Sequence, residues 1–148
     1  MIEIKKTALT EDIITQLIEL SLIWEKEDIS FGLRANEKED LKEPCFIALD
    51  GNKVVGYTFG HFYESEKKTS YAALGEKCFS VDELYVLPEY RSKGIGKRLY
   101  QAIEDEVKGQ CHCINLVTST KDYKRILRFY DEEAGMVFHD AFFAKRFD

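Results

Sequence analysis

The stretch FSVDELYVLPEYRSKGIGKRLYQAIEDEVKG, residues 79–109, constrains the fold more than any other. It opens on a run of β-formers and breaks at Pro88. It then gathers Arg91, Lys93 and Lys97 around Gly94 and Gly96 and continues as helix-forming sequence. Ile95, Leu99, Ala102, Ile103 and Val107 recur at helical spacing, and Gly109 reads as the C-cap. A strand that feeds a glycine turn and then a helix is a ready anion site. The first helical N–H groups have no partners, and the helix dipole turns its positive end toward the ligand. Glycines let the backbone approach a phosphate, and the basic side chains add charge. Neither the Walker pattern G-x-x-x-x-G-K-[ST] nor the dinucleotide pattern G-x-G-x-x-G occurs. Alone, R-x-x-G-x-G is equally compatible with a solvated, glycine-softened helix start.

The flanking sequence predicts a mixed architecture. Ile2 to Lys5 alternate weakly, as a first strand would. Thr10 suits an N-cap, followed by Glu11 and Asp12 in the first turn and by Ile13, Ile14, Leu17, Ile18, Leu20, Ile23 and Trp24 at helical spacing. The polar run EKEDISFGLRANEKEDLKE predicts a loop and a short second helix that stops at Pro44. CFIAL and KVVGYTFGHFY flank Asp50-Gly51-Asn52, a hairpin signal. ESEKKTSYAALGEK reads as an exposed connection and CINLVTS as a buried strand. A helix follows over Asp122 to Ala134, closed by Gly135, and MVFHDAFFAKRF supplies one or two last strands. The expected class is therefore α/β (α+β), with helices on both faces of a mixed sheet and one domain over residues 1–148.

Composition narrows the function. The chain has 148 residues, 45% hydrophobic, enough for one full core. Its net charge of −6 argues against a nucleic-acid partner. The N-terminus lacks an apolar leader, and no run approaches the roughly 20 apolar residues of a membrane span, so a cytoplasmic protein with no membrane partner is expected. Cys45, Cys78, Cys111 and Cys113 form no C-x-x-C pair. Two close thiols around His112 do not complete a zinc site, so no metal is expected and the thiols read as reduced.

DELYVLPEYRSKGIGKRLY resembles the acetyl-CoA-binding segment of the GNAT superfamily of N-acetyltransferases, and RILRFYDEEAGMVF resembles that family's late helix. The resemblance implies a mostly antiparallel sheet of six to seven strands, splayed at the coenzyme site, with about four helices on both faces. It implies acetyl-CoA as co-substrate, with Arg91, Ser92, Lys93, Gly94, Ile95, Gly96 and Lys97 around the pyrophosphate. Leu84, Tyr85 and Val86 would bond the pantetheine arm through backbone groups, the Leu84 N–H serving the oxyanion. Tyr130 matches the tyrosine that many members aim at the thioester sulfur. A phenol can donate to a thiolate and stay protonated at neutral pH.

Acetyl transfer to an amine also needs a proton acceptor, because an alkylammonium is not nucleophilic. Asp82 and Glu83 are the candidates. In a regular strand they face opposite ways, so at most one meets the acceptor directly. The pair resembles the spermidine/spermine branch, whereas other branches carry their carboxylate at the position of Ser80. Asp82 could then act through a water while Glu83 positions the acceptor. Trp24, Glu25 and Asp28, in an acidic region near the first helix, are acceptor candidates suited to a small cationic amine. A peptide or protein amine, and a non-catalytic acyl-CoA-binding module, are the alternatives. The terminal AFFAKRF could support a homodimer.

Overall fold

The computed structural model describes residues 1–148. Strand β1 (Ile2–Thr7) leads to helix α1 (Glu11–Glu27), then to β2 (Cys45–Asp50), β3 (Lys53–Glu64) and β4 (Lys77–Val86). Helix α2 (Ile95–Val107), a short β5 (Cys113–Asn115) and helix α3 (Tyr123–Arg128) follow. One sheet runs in the order β1-β2-β3-β4-β5. Its first four strands are antiparallel, and β5 lies parallel to β4.

Local chemistry places each element. Thr10 caps α1, its Oγ1 accepting from the Ile13 N–H at 3.3 Å. Gly51, at φ 62°, makes the tight β2–β3 hairpin that Asp-Gly announces. The middle of the sheet, Cys45–Ala48 on β2 and Val54–Gly60 on β3, is buried throughout because helices cover both faces. On β3, Gly56 lets Leu99 of α2 approach, since a Cβ there would stand 3.3 Å from Leu99 Cδ1. The next residue, Tyr57, turns to the other face, where Trp24 of α1 stacks on Tyr85 at 4.8 Å. One continuous core joins α1, the sheet and α2.

The sheet has five strands rather than six or seven, and three α-helices rather than about four. MVFHDAFFAKRF forms no strand. Phe142, Phe143 and Phe147 are each more than 90% exposed, and the segment is tied back only at its start, where the Met136 N–H donates to the Tyr130 carbonyl and His139 meets Ser70. The expected second helix is one 3-10 turn, Lys38–Asp40, because polar residues there offer no apolar face to bury. CINLVTS contributes only Cys113–Asn115 to the sheet. The late helix changes pitch after Arg128. Phe129–Glu133 is a wide π turn, in which the Ala134 N–H reaches the Phe129 carbonyl at 3.0 Å. Gly135, at φ 69°, closes it as expected, whereas Gly109 stays outside the left-handed region and α2 ends without a glycine cap.

Candidate active site

The opening of the sheet follows from pairing that stops early. Strand β5 meets β4 only at Cys78–Ser80, so Val81–Val86 have no neighbour on that side. A cleft of about 790 Å³ fills the gap, between β4 and the glycine turn on one side and Leu116–Thr120 and α3 on the other. The turn itself is shaped for an anion. Gly94 holds φ 80° as the residue before α2, and Ser92 holds φ 63°. The N–H groups of Ile95, Gly96 and Lys97 have no partner within the chain. Three bare amides at the start of a thirteen-residue helix, behind a left-handed glycine, suit a pyrophosphate.

Arg91 sits differently from its sequence expectation. Its guanidinium donates to Glu27 through both Nη atoms, at 2.8 and 2.9 Å, and its Nε donates to the Val86 carbonyl at 2.9 Å. Tyr85 Oη donates to the same Glu27 carboxylate. Arg91 thus ties the end of α1 to the turn rather than offering a free charge to a phosphate. Glu27→Gln is expected to cost about 1–2 kcal/mol of stability, because the replacement amide cannot match a bidentate carboxylate. Urea unfolding checks this, and an unchanged midpoint would mean that the pair holds nothing together. Lys93 also turns away, its Nζ lying 5.6 Å from the Tyr90 ring centre.

A bulge brings the two carboxylates to the same place. Phe59 faces Glu83 and Gly60 faces Val81, which leaves Asp82 as the extra residue on β4. Both Asp82 and Glu83 therefore line the cleft, where a regular strand would turn one away. Glu83 Oε1 accepts from Tyr57 Oη at 2.6 Å and from Asn36 Nδ2 at 2.8 Å, while Oε2 makes no hydrogen bond within the chain. Burial holds the Glu83 carboxyl above the usual carboxylate range, against the pull of those two donors. Asp82 Oδ2 lies 2.9 Å from His61 Nδ1 and 3.4 Å from Lys42 Nζ. Tyr130 lines the cleft from the π turn, and burial pushes its phenol up to about 12.

Of the acceptor candidates, Trp24 lines the cleft and Glu25 and Asp28 do not. The Glu25 carboxylate accepts from the Ala35 N–H at 2.7 Å, which pins the loop, and Asp28 pairs with Lys121 at 2.9 Å. The partners of the carboxylates, Asn36, Lys42, Tyr57 and His61, carried no sequence signal. They come from a loop and from the strand opposite the bulge, far from β4 in the chain. No group of three or more His, Cys, Asp or Glu side chains comes together as a metal site would need, and no helix is long and apolar enough to cross a membrane.

A strand-to-glycine turn with bare amides, beside a sheet that parts at the same level, makes a site for an extended ligand that carries a pyrophosphate-type anion. The family model described as Acetyltransferase (GNAT) family matches residues 11–136, and the chain belongs to that family. No curated protein matches the chain. Among solved structures, an aminoglycoside acetyltransferase from an uncultured soil metagenomic sample, in complex with trehalose, aligns with TM-score 0.67 and 18% identity over 99% of this chain and 97% of that one. A Clostridium acetobutylicum protein with acetyl-CoA, described as a predicted acetyltransferase, aligns with TM-score 0.69 and 18% identity over 99% and 96%. The aminoglycoside N-acetyltransferase AAC(6')-Iy in complex with CoA aligns with TM-score 0.70 and 12% identity over 99% and 95%.

Proposed function

We propose that the chain, acting as one domain in the cytoplasm, transfers the acetyl group of acetyl-CoA to a primary amine of a small cationic molecule. The observation that carries this reading is the cleft that puts the bare amides of α2, two carboxylates and Tyr130 around one space. The family supports the acetyl-CoA part, and the aminoglycoside acetyltransferases among its structural neighbours support an amine acceptor.

Acetyl-CoA supplies the activated acetyl group, and the residues divide the remaining work. The turn from Ser92 to Lys97 holds the pyrophosphate through backbone amides, and the backbone of Leu84, Tyr85 and Val86 edges the opening in the sheet. Trp24 walls the acceptor side. Glu83 takes the ammonium proton at Oε2. Its raised pKa makes it a stronger base than an exposed carboxylate, and Tyr57 and Asn36 keep Oε1 fixed. Asp82 orients the same amine. Burial pushes the Tyr130 phenol up to about 12, so it keeps its proton and donates a hydrogen bond to the departing sulfur; as that proton moves to the thiolate, the second proton the nitrogen sheds in becoming an amide restores the phenol. The bare phenylalanines of the terminal segment are the surface that a homodimer would use.

The test is thiol release from acetyl-CoA with a panel of polyamines, aminoglycosides, amino acids and short basic peptides. Release with a small amine supports the reading. Release with peptides alone would favour a protein substrate, and coenzyme A binding with no release would leave a binding module. Tyr130→Phe is expected to lower kcat by about 10–100-fold and to leave acetyl-CoA affinity within about twofold, because the ring stays and only the hydroxyl is lost. Single-turnover kinetics with calorimetric binding separates the two effects, and an unchanged kcat removes Tyr130 from the chemistry.

A further inference from the structure

A smaller recess of about 260 Å³ adjoins the cleft and shares Asp82 and Glu83 with it. Its other charged walls are Arg34, Asp40 and Lys42. A trap for polycations would present several carboxylates free of protein cations, whereas here two of the three, Asp40 and Asp82, already have a cationic side chain beside them. Arg34 clasps Asp40 through both Nη atoms at 2.8 and 3.0 Å, and the Glu37 N–H adds a third donor at 2.8 Å. Glu83 is held by the neutral donors Tyr57 and Asn36. Asp82 has its Oδ2 shared between His61 and Lys42, while Oδ1 makes no hydrogen bond within the chain.

Lys42 is the loosest member. Its ammonium is 3.4 Å from Asp82, its side chain is nearly half exposed, and it has no other anionic partner. An acceptor ammonium that docks on Asp82 and Glu83 competes for the one carboxylate Lys42 has. The lysine charge then needs another anion beside the bound amine. A second ammonium on the acceptor would instead meet Lys42 and Arg34, two like charges.

We propose that the acceptor carries a carboxylate next to its amine, as an α-amino acid does, with the amine on Asp82 and Glu83 and the carboxylate on Lys42. This rests on the acetyl-transfer reading and narrows its amine acceptor to one that carries a carboxylate beside the ammonium. The recess carries both signs side by side, which matches a molecule that does the same.

The experiment compares amino acids with their own decarboxylated amines: lysine with cadaverine, histidine with histamine, and phenylalanine with phenethylamine. Spermidine, kanamycin and a short basic peptide complete the set. Thiol release from acetyl-CoA is followed with the full chain. The expected result is a kcat/KM for the amino acid at least about tenfold above its amine in one or more pairs. Lys42→Met should bring that ratio close to one, and Lys42→Arg should restore most of it. The ratio is the readout because a general loss of activity cancels from it. Amines that match or exceed their amino acids in every pair overturn the proposal, as does a ratio that survives Lys42→Met. Turnover of spermidine or kanamycin without any amino acid overturns it while leaving acetyl transfer standing. No thiol release from any acceptor sinks both.

Discussion

Glu83→Gln is expected to lower kcat by about 10²–10⁴-fold while raising the stability of the fold above the carboxylate range. The two effects share one cause. Glu83 is packed between Tyr57 and Asn36 on the buried side of β4, and burial disfavours its charged form. The folded chain therefore holds the Glu83 proton to a higher pH than the unfolded chain, whose carboxyl titrates near 4.5. The stability contributed by this group is fully present below that value. It is lost as pH rises through the raised folded pKa. Glutamine does not titrate, and its amide oxygen still accepts from Tyr57 and Asn36. The variant should thus melt higher than the wild type at pH 8, and the gap should close as pH falls below the ordinary carboxylate range. Acetyl-CoA affinity should be unchanged if, as proposed, Glu83 meets the amine and not the coenzyme. Thermal melts across pH, run beside steady-state rates, check both halves. A variant that keeps its turnover returns the proton to another acceptor. One that melts lower at pH 8 means that the carboxylate is better paired than its two neutral donors suggest.

The parts of this molecule that were legible in the sequence are those governed by near neighbours in the chain. The turn at Ser92–Gly96 was readable because proline, basic residues and glycines sit within one short stretch, and the hairpin because Asp-Gly sets its own geometry. The opening between β4 and β5 came from family resemblance, and the early end of pairing at Ser80–Asn115 shows where it lies. What stayed hidden is the set of partners. Arg91 has the position of a phosphate ligand in the sequence, but its guanidinium is bonded to Glu27, sixty-four residues away. Glu25 and Asp28 looked available for an acceptor, yet each is spent on a neighbour, Ala35 or Lys121. The exposed terminal phenylalanines were misread for a related reason. An aromatic-rich run suits a strand, but a strand needs an edge to pair with, and β5 offers only three residues. The orientation of Asp82 was also out of reach, because alternation along a strand assumes no bulge.

That bulge gives the second large effect. Gly60→Ala is expected to cost about 3 kcal/mol and to remove most of the turnover in whatever still folds. The reason is space rather than backbone freedom, since Gly60 is not in the left-handed region. A Cβ at residue 60 would stand 2.0 Å from the Ser80 carbonyl oxygen and 2.8 Å from two ring atoms of Phe79. The oxygen belongs to the paired strand, and the Phe79 ring is fully buried against Phe62, so neither can step aside. Strands β3 and β4 must separate at the point where the register shifts between Phe59 and Gly60. Any relief that restores regular pairing takes away the extra residue, which is Asp82. Any relief that widens the strands shifts Asp82 relative to His61 on β3 and to Lys42 in the loop before β2. Turnover per folded molecule should therefore fall further than the folded fraction does, and urea midpoints paired with rates normalised to folded protein measure the two separately. Equal losses would mean that the bulge holds the fold and nothing more. A stability within about 0.5 kcal/mol of the wild type would mean that the strands yield there without consequence.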